Sequence, residues 1–311
     1  MGADILFILF GIVLLVVGAE LLVRGAAGLA LKLGIPSLIV GLTVVALGTS
    51  APELVIGIKS VQSDHGSLAI GAVVGSNTCN ILFILGVAGL IAPLAIRESS
   101  MWIDVPVLSI GAIMIAYLAG VGVINHTWAV LLTIGICLYI LVSIIRAVSS
   151  PAPQSDDIPN APDKLWMLGL LIVAGLALLK FGGDFLLEGA ISSASNLGVN
   201  EAIIGLTIVA VGSSLPELAT AVSASLKGQG DLVIGNVLGS NIFNSFAILG
   251  ISGLFGNIPY EGVSNLAIGF MLAATLILVP FMWTKFRLDR WEAFVMLVMF
   301  VSYLVAVVTF A

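Results

Sequence analysis

Charge is what this sequence has least of. Only 9% of its 311 residues are Asp, Glu, Lys or Arg, whereas 60% are hydrophobic and mean hydropathy is +1.22. Soluble domains carry about 25% charged residues, so an ordinary water-exposed globular surface is excluded. Cysteine and histidine are equally scarce, with two of each. Cys79 and Cys137 form no CxxC and have no obvious pairing, so they read as small apolar packing residues inside membrane spans. His65 and His126 stand in predicted loops, away from any acidic or cysteine cluster. No HExxH motif and no serine–histidine pair occurs, so neither an enzymatic activity nor a cofactor is expected; nor is a nucleic-acid partner, and the net charge of −6 says little, because most of the few charged residues sit at helix ends.

What the chain has instead is apolar length. A helix crossing roughly 30 Å of hydrocarbon needs about 20 mainly apolar residues, and ten such stretches can be placed: 4–23, 36–62, 68–94, 101–121, 127–147, 166–187, 200–226, 232–255, 265–284 and 290–309. The expected fold is an all-α polytopic membrane protein of ten transmembrane helices. Asp4 ahead of a long apolar run argues against a cleaved leader, so the first span is expected to be retained. In this arrangement Arg24, Lys32, Arg97, Arg146, Lys164, Lys227, Lys285, Arg287 and Arg290 fall on one side, and Lys59 near the other. The positive-inside rule then puts that side in the cytoplasm, with both termini outside and the bilayer as surrounding partner.

The chain is also written twice. Gly48-Thr49-Ser50-Ala51-Pro52-Glu53 returns 164 positions later as Gly212-Ser213-Ser214-Leu215-Pro216-Glu217. Gly75-Ser76-Asn77-Thr78-Cys79-Asn80 returns at the same offset as Gly239-Ser240-Asn241-Ile242-Phe243-Asn244. The expected units are residues 1–148, a polar, proline-rich linker at 149–164, and residues 165–311. Five helices per unit, copied end to end, turn the second copy upside down, so the units form inverted repeats whose motifs meet near the midplane.

Each motif has a physical reading. Pro52 and Pro216 remove a helix donor and clash with the carbonyl four residues back, on Gly48 and Gly212. The opened helix would release carbonyls near Ala46–Thr49 and Ala210–Ser213, and irregular backbone at membrane depth is tolerated where it is buried or lines a cavity. Ser76 with Asn80, and Ser240 with Asn244, are four apart and share a helix face. Glu20 with Arg24, and Lys180 with Asp184, are i,i+4 pairs that read as self-neutralised helix ends.

Two acids at the midplane cannot readily cross hydrocarbon without counter-ions, because one buried charge costs about 3 kcal/mol on insertion scales. One Ca²⁺ neutralises both Glu53 and Glu217 and favours an all-oxygen ligand set. Zn²⁺ would lack its usual ligands, although Cys79 lies beside Asn80. An empty, doubly charged site resists crossing, so each half-cycle carries one cation type or the other, and the result is antiport. Protons replacing Na⁺ would give a Ca²⁺/H⁺ exchanger; a cation channel with an acidic constriction is the alternative from another class.

On the paired motifs GTSAPE with GSNTCN and GSSLPE with GSNIFN, the chain resembles the calcium/cation antiporter superfamily, nearest its sodium/calcium exchanger branch. The resemblance implies a central four-helix cation-binding core, with the first and sixth helices sliding across it. It implies Glu53 and Glu217 as shared ligands of Ca²⁺ and Na⁺, and oxygens from Thr49, Ser50, Ser213, Ser214, Ser76 and Ser240. It adds the carbonyls of Ala46 and Ala210 and the amide oxygens of Asn80 and Asn244. No obligate protein partner is implied. Ser213 stands where Thr is usual, which implies an altered Na⁺ site, and Asn244 where potassium-dependent relatives have Asp, which implies no K⁺ requirement.

Overall fold

The computed structural model describes residues 2–149, 164–196, 212, 214–260, 263–283 and 286–310. Its helices are α1 (Gly2–Leu33), α2 (Ser37–Thr49), α3 (Ala51–Gln62), α4 (Gly66–Ile91), α5 (Ser100–Val121), α6 (His126–Ser149), α7 (Leu165–Asn196), α8 (Leu215–Leu226), α9 (Gly230–Gly253), α10 (Asn265–Trp283) and α11 (Arg290–Phe310). Among the described residues, eight helices are each long and apolar enough to span a bilayer, and α2 with α3 makes a ninth, bent by 46°. The stretch expected at 200–226 is described mainly in its second half, as α8. The 149–164 linker lies almost wholly outside the described residues.

The first span differs from its expected bounds. α1 continues ten residues past the expected end, so Arg24 and Lys32 ride on the helix rather than in a loop. The reason is charge pairing: Glu20 is held by Arg24 at 2.5 Å and by Lys227 at 2.5 Å, which removes the need for the helix to stop where charge begins. The chain turns only at Gly34, whose φ of +65° is a left-handed conformation that glycine adopts without Cβ strain. α7 likewise runs on to Asn196. At about 1.5 Å per residue, these two 32-residue helices exceed the hydrocarbon thickness, and such helices tilt.

α1 and α7 lie antiparallel along a glycine seam of period seven. A Cβ on Gly11 would come 2.7 Å from the Gly182 carbonyl, one on Gly18 2.9 Å from that of Gly175, and one on Gly25 3.1 Å from that of Leu168. Gly175, Gly182 and Gly189 are the same three positions displaced by 164. Small residues let membrane helices approach closely, and here the backbones touch. Ile5, Leu9, Val13 and Val16 face outward from α1, as a lipid-contacting surface requires.

The centre is different. Among the eight described long spans, α4 and α9 are the most enclosed; the most apolar stretch of α9 is buried throughout. Each carries one widened, π-helical turn, Cys79–Ile84 in α4 and Phe243–Ile248 in α9, again separated by 164. Two short antiparallel ladders close the ends. Leu94–Ala95 (β1) pairs with Arg287–Leu288 (β4), and Val123–Ile124 (β2) with Ile258–Pro259 (β3). The register Leu94↔Leu288 becomes Ile258↔Ile124 under the same offset. The duplication is therefore carried into the hydrogen bonding, with each half supplying a strand to both ladders.

One end of the bundle gathers the charge. Arg97 binds Asp231, Arg146 binds the buried Asp104 at 2.7 Å and Ser99 at 3.2 Å, and Arg290 donates to the carbonyls of Leu90 and Ile91. Trp102, Trp166, Trp283 and Trp291 are exposed at this end, where amphipathic indoles suit a membrane–water interface. Since α6 ends at Ser149 and α7 begins at Leu165, this is also the linker end. Tyr139 donates to Asp104 at 3.1 Å, whereas its aligned partner Tyr303 packs on Phe270 and Phe300; the repeats diverge at this point.

Candidate functional site

The proline in each motif breaks the helix as its chemistry demands. α2 ends at Thr49, Ser50 lies off the helix at φ −91°, ψ 4°, and Pro52 takes the second position of α3. In the second repeat Ser214 has φ −94°, ψ 11°, and Pro216 takes the second position of α8. Both breaks place a glutamate, Glu53 or Glu217, in the first turn of the helix that restarts. Carboxylates are favoured at that position by the unpaired N–H groups.

These two first turns meet. Ser50 Oγ lies 3.4 Å from Glu217 Oε1 across the repeat boundary. Glu53 lines a narrow cavity together with Ser76 on α4 and Asn244 on α9. The cavity has a volume of about 10 Å³, room for about one water-sized body. The asparagines join the helices reciprocally: Asn244 Nδ2 donates to Asn77 Oδ1 at 3.1 Å, and Asn80 Nδ2 to Asn241 Oδ1 at 3.4 Å. One bond is the image of the other at the 164-residue offset.

Each central asparagine thus spends its NH₂ on the opposite repeat and keeps its oxygen. Among the buried oxygens of the described residues that have no hydrogen-bond partner, six belong to the two repeated motifs: Glu53 Oε2, Glu217 Oε2, Asn80 Oδ1, Asn244 Oδ1, Ser214 Oγ and Ser240 Oγ. Leaving such groups unpaired costs about 1–3 kcal/mol each. Hard oxygen donors alone, with no nitrogen or thiolate among them, are the donor chemistry of Ca²⁺ and related hard cations.

The remaining expected residues fall as follows. Thr49 is buried and points its hydroxyl back to the carbonyls of Val45 at 3.1 Å and Ala46 at 3.3 Å. The Ala46 carbonyl also accepts the Ser50 N–H at 3.0 Å, so in this conformation it is engaged locally. Ala210 and Ser213 lie outside the described residues. Glu20 with Arg24 and Lys180 with Asp184 form the expected pairs, but within α1 and α7 rather than at their ends. Cys79 is buried and Cys137 exposed.

Sequence reasoning did not single out Asn77 and Asn241, although both stand inside the repeated motif. They hold the ligand-type asparagines in place. Asn77 also donates to Ser245 Oγ at 3.0 Å. The image of Ser245 is Ile81, and accordingly Asn241 Nδ2 has no partner.

A duplicated, polytopic helical bundle with paired acidic breaks defines an inverted-repeat transporter. The family model described as "Sodium/calcium exchanger protein" matches residues 4–145 and 167–309, and the chain belongs to that family. It is 34% identical over 313 residues, 96% of each chain, to CaxA of Alkalimonas amylolytica, which is named as a candidate antiporter. It is 41% identical over 138 residues, 43% of this chain and 39% of the other, to the sodium/calcium exchanger MaX1 of Methanosarcina acetivorans. Its fold is similar to the sodium-calcium exchanger NCX_Mj soaked with zero Na⁺ and Ca²⁺, with TM-score 0.85, 26% identity and 99% of each chain covered. The chain is therefore a multi-pass membrane transporter of the cation and Ca²⁺ antiport class rather than an enzyme.

Proposed function

We propose that the protein exchanges Na⁺ for Ca²⁺ by alternating access at one midplane site built on Glu53 and Glu217. The observation that supports this most is the meeting of the two proline-broken turns, Ser50 against Glu217, beside matched unpaired oxygens from both repeats. Ca²⁺ engages both carboxylates together with the oxygens of Asn80, Asn244, Ser76 and Ser240. Na⁺ ions occupy subsets of the same oxygens with Thr49, Ser50, Ser213, Ser214 and the carbonyls of Ala46 and Ala210. Neutralising two acids is the condition for either occupied state to cross, which makes exchange obligatory.

The units are residues 1–148 and 165–311, joined by a linker at 149–164. The linker end is the cytoplasmic one, in keeping with its basic residues, and both termini lie outside the cell membrane. Coupling is tested in proteoliposomes by Ca²⁺ uptake under an outward Na⁺ gradient, with a pH gradient alone as the control. Uptake driven by Na⁺ supports the reading; uptake driven only by the pH gradient replaces it with Ca²⁺/H⁺ exchange.

A further inference from the structure

Among the buried polar groups that the site leaves unused, a carboxamide stands out because both of its polar atoms are unpartnered. Asn236 on α9 is fully buried, and neither its Oδ1 nor its Nδ2 has a hydrogen-bond partner. A buried amide without partners opposes folding, and an apolar residue of the same register would avoid that cost. The first repeat has one there: the image of Asn236 is Ala72.

Its position is informative. Asn236, Ser240 and Asn244 are successive i,i+4 neighbours and share a face of α9. Asn244 lines the Glu53 cavity and Ser240 Oγ is unpaired. Four residues rise about 6 Å, so the stripe leads from the site toward Gly230, the N-terminal end of α9. That end carries Asp231, which Arg97 holds, and is the linker end of the bundle. In the first repeat the equivalent stripe is Ala72, Ser76 and Asn80, and Ala72 and Ser76 line the cavity with Glu53 and Gly57. By the offset of 164, Asn236 and Ser240 hold the matching places beside Glu217 and Ala221, all of them buried. α2 lies against the backbone of this stretch: a Cβ on Gly41 would come 3.1 Å from the backbone nitrogen of Asn236, and one on Gly239 2.6 Å from the Leu42 carbonyl.

We propose that Asn236 is a cation waypoint on the linker-side path. When α2 leaves the Gly235 and Gly239 face, the path beside Glu217 opens onto the Asn236 carboxamide. Its oxygen, a hard donor suited to Ca²⁺ and Na⁺, takes the partly dehydrated ion between water and the Glu217 carboxylate. The path on the opposite side passes Ala72 and has no such station. The inference rests on the antiporter reading and adds a sided difference to it.

The test uses the full chain in proteoliposomes of known orientation, with Asn236→Ala, the residue the first repeat already tolerates. The half-saturating Ca²⁺ concentration is measured from each side. The expected result is a rise of about 3- to 10-fold on the linker side, the loss of one hydrogen-bond-strength ligand, with the opposite side unchanged. Ala72→Asn, placing the amide in the other path, is expected to lower the constant on that opposite side. Equal changes on both sides, or none with a raised melting temperature, would overturn the inference and leave Asn236 as an unused buried amide. Absence of exchange in the wild type would overturn the antiporter reading and this inference with it.

Discussion

Asn244 Nδ2 donates to Asn77 Oδ1 at 3.1 Å, joining α9 to α4 at the level of the two glutamates. The bond orients Asn244 so that its oxygen, not its NH₂, is unpaired. Asn77 is fixed in turn by Ser245. Ser245→Ala leaves the Asn77 NH₂ buried and unpaired, at a cost of about 1–3 kcal/mol. We expect a lowered melting temperature and weakened Ca²⁺ binding, read by thermal unfolding with and without Ca²⁺.

The close approach of α2 to α9 predicts a conformational variant. In Gly239→Ala the new Cβ would lie 2.6 Å from the Leu42 carbonyl and 2.8 Å from Ala46 Cβ. The obstacle is largely backbone, so α2 must move. Overpacking of this kind costs about 1–3 kcal/mol and disfavours the conformation with α2 seated. A Ser240→Cys reporter in a Cys79→Ala, Cys137→Ala background should then react faster with an impermeant thiol reagent added at the linker side. An unchanged labelling rate would contradict this.

The α1–α7 seam predicts a second one. A side chain at Gly18 meets the Leu179 nitrogen at 2.8 Å and the Gly175 carbonyl at 2.9 Å. Gly18→Val should separate the helices and reduce exchange at least tenfold. Gly169→Val is the control: its added Cβ would meet nothing within 4 Å, so it should leave exchange within about twofold. Initial uptake rates, normalised to folded protein, decide between these outcomes.

The Asp104–Arg146 pair predicts stability without transport chemistry. Asp104 is fully buried, and the pair sits among Ser99 and Tyr139 at the linker end, away from Glu53 and Glu217. Breaking a buried ion pair by removing one partner costs about 3–5 kcal/mol. Arg146→Met should lower the melting temperature markedly while leaving the half-saturating Ca²⁺ concentration of the folded fraction unchanged.

Much of this architecture is legible in the sequence because the duplication is ungapped. The 164-residue offset relates Pro52 to Pro216 and Glu53 to Glu217, and a proline behind a run of small residues marks the helix break there, whereas Pro280 is carried inside α10. Span positions follow from hydropathy for the same reason: the constraint is local. Contacts between distant segments are another matter. Nothing near Glu20 announces Lys227, so the continuation of α1 to Leu33 was not readable. Asn77 and Asn241 lie in plain sight in GSN, but their role depends on which residue the opposite repeat presents. The π-helical turns carrying Asn80 and Asn244 have no composition signal of their own. The difference between Ser245 and Ile81 is visible in an alignment of the halves, yet it gains meaning only when Asn77 is seen to reach Ser245.

The most direct test of the central claim is radiolabelled Ca²⁺ uptake into Na⁺-loaded proteoliposomes by wild type, Glu53→Gln and Glu217→Gln. Each substitution keeps shape and removes one of the two charges that Ca²⁺ is proposed to neutralise. Protons compete for the same carboxylate oxygens, so wild-type Ca²⁺ affinity should also fall as pH is lowered. Na⁺-dependent uptake in the wild type that falls to background in both variants, with the folded protein retained, is the predicted result. Wild-type-like uptake by either folded variant would contradict a shared two-glutamate site.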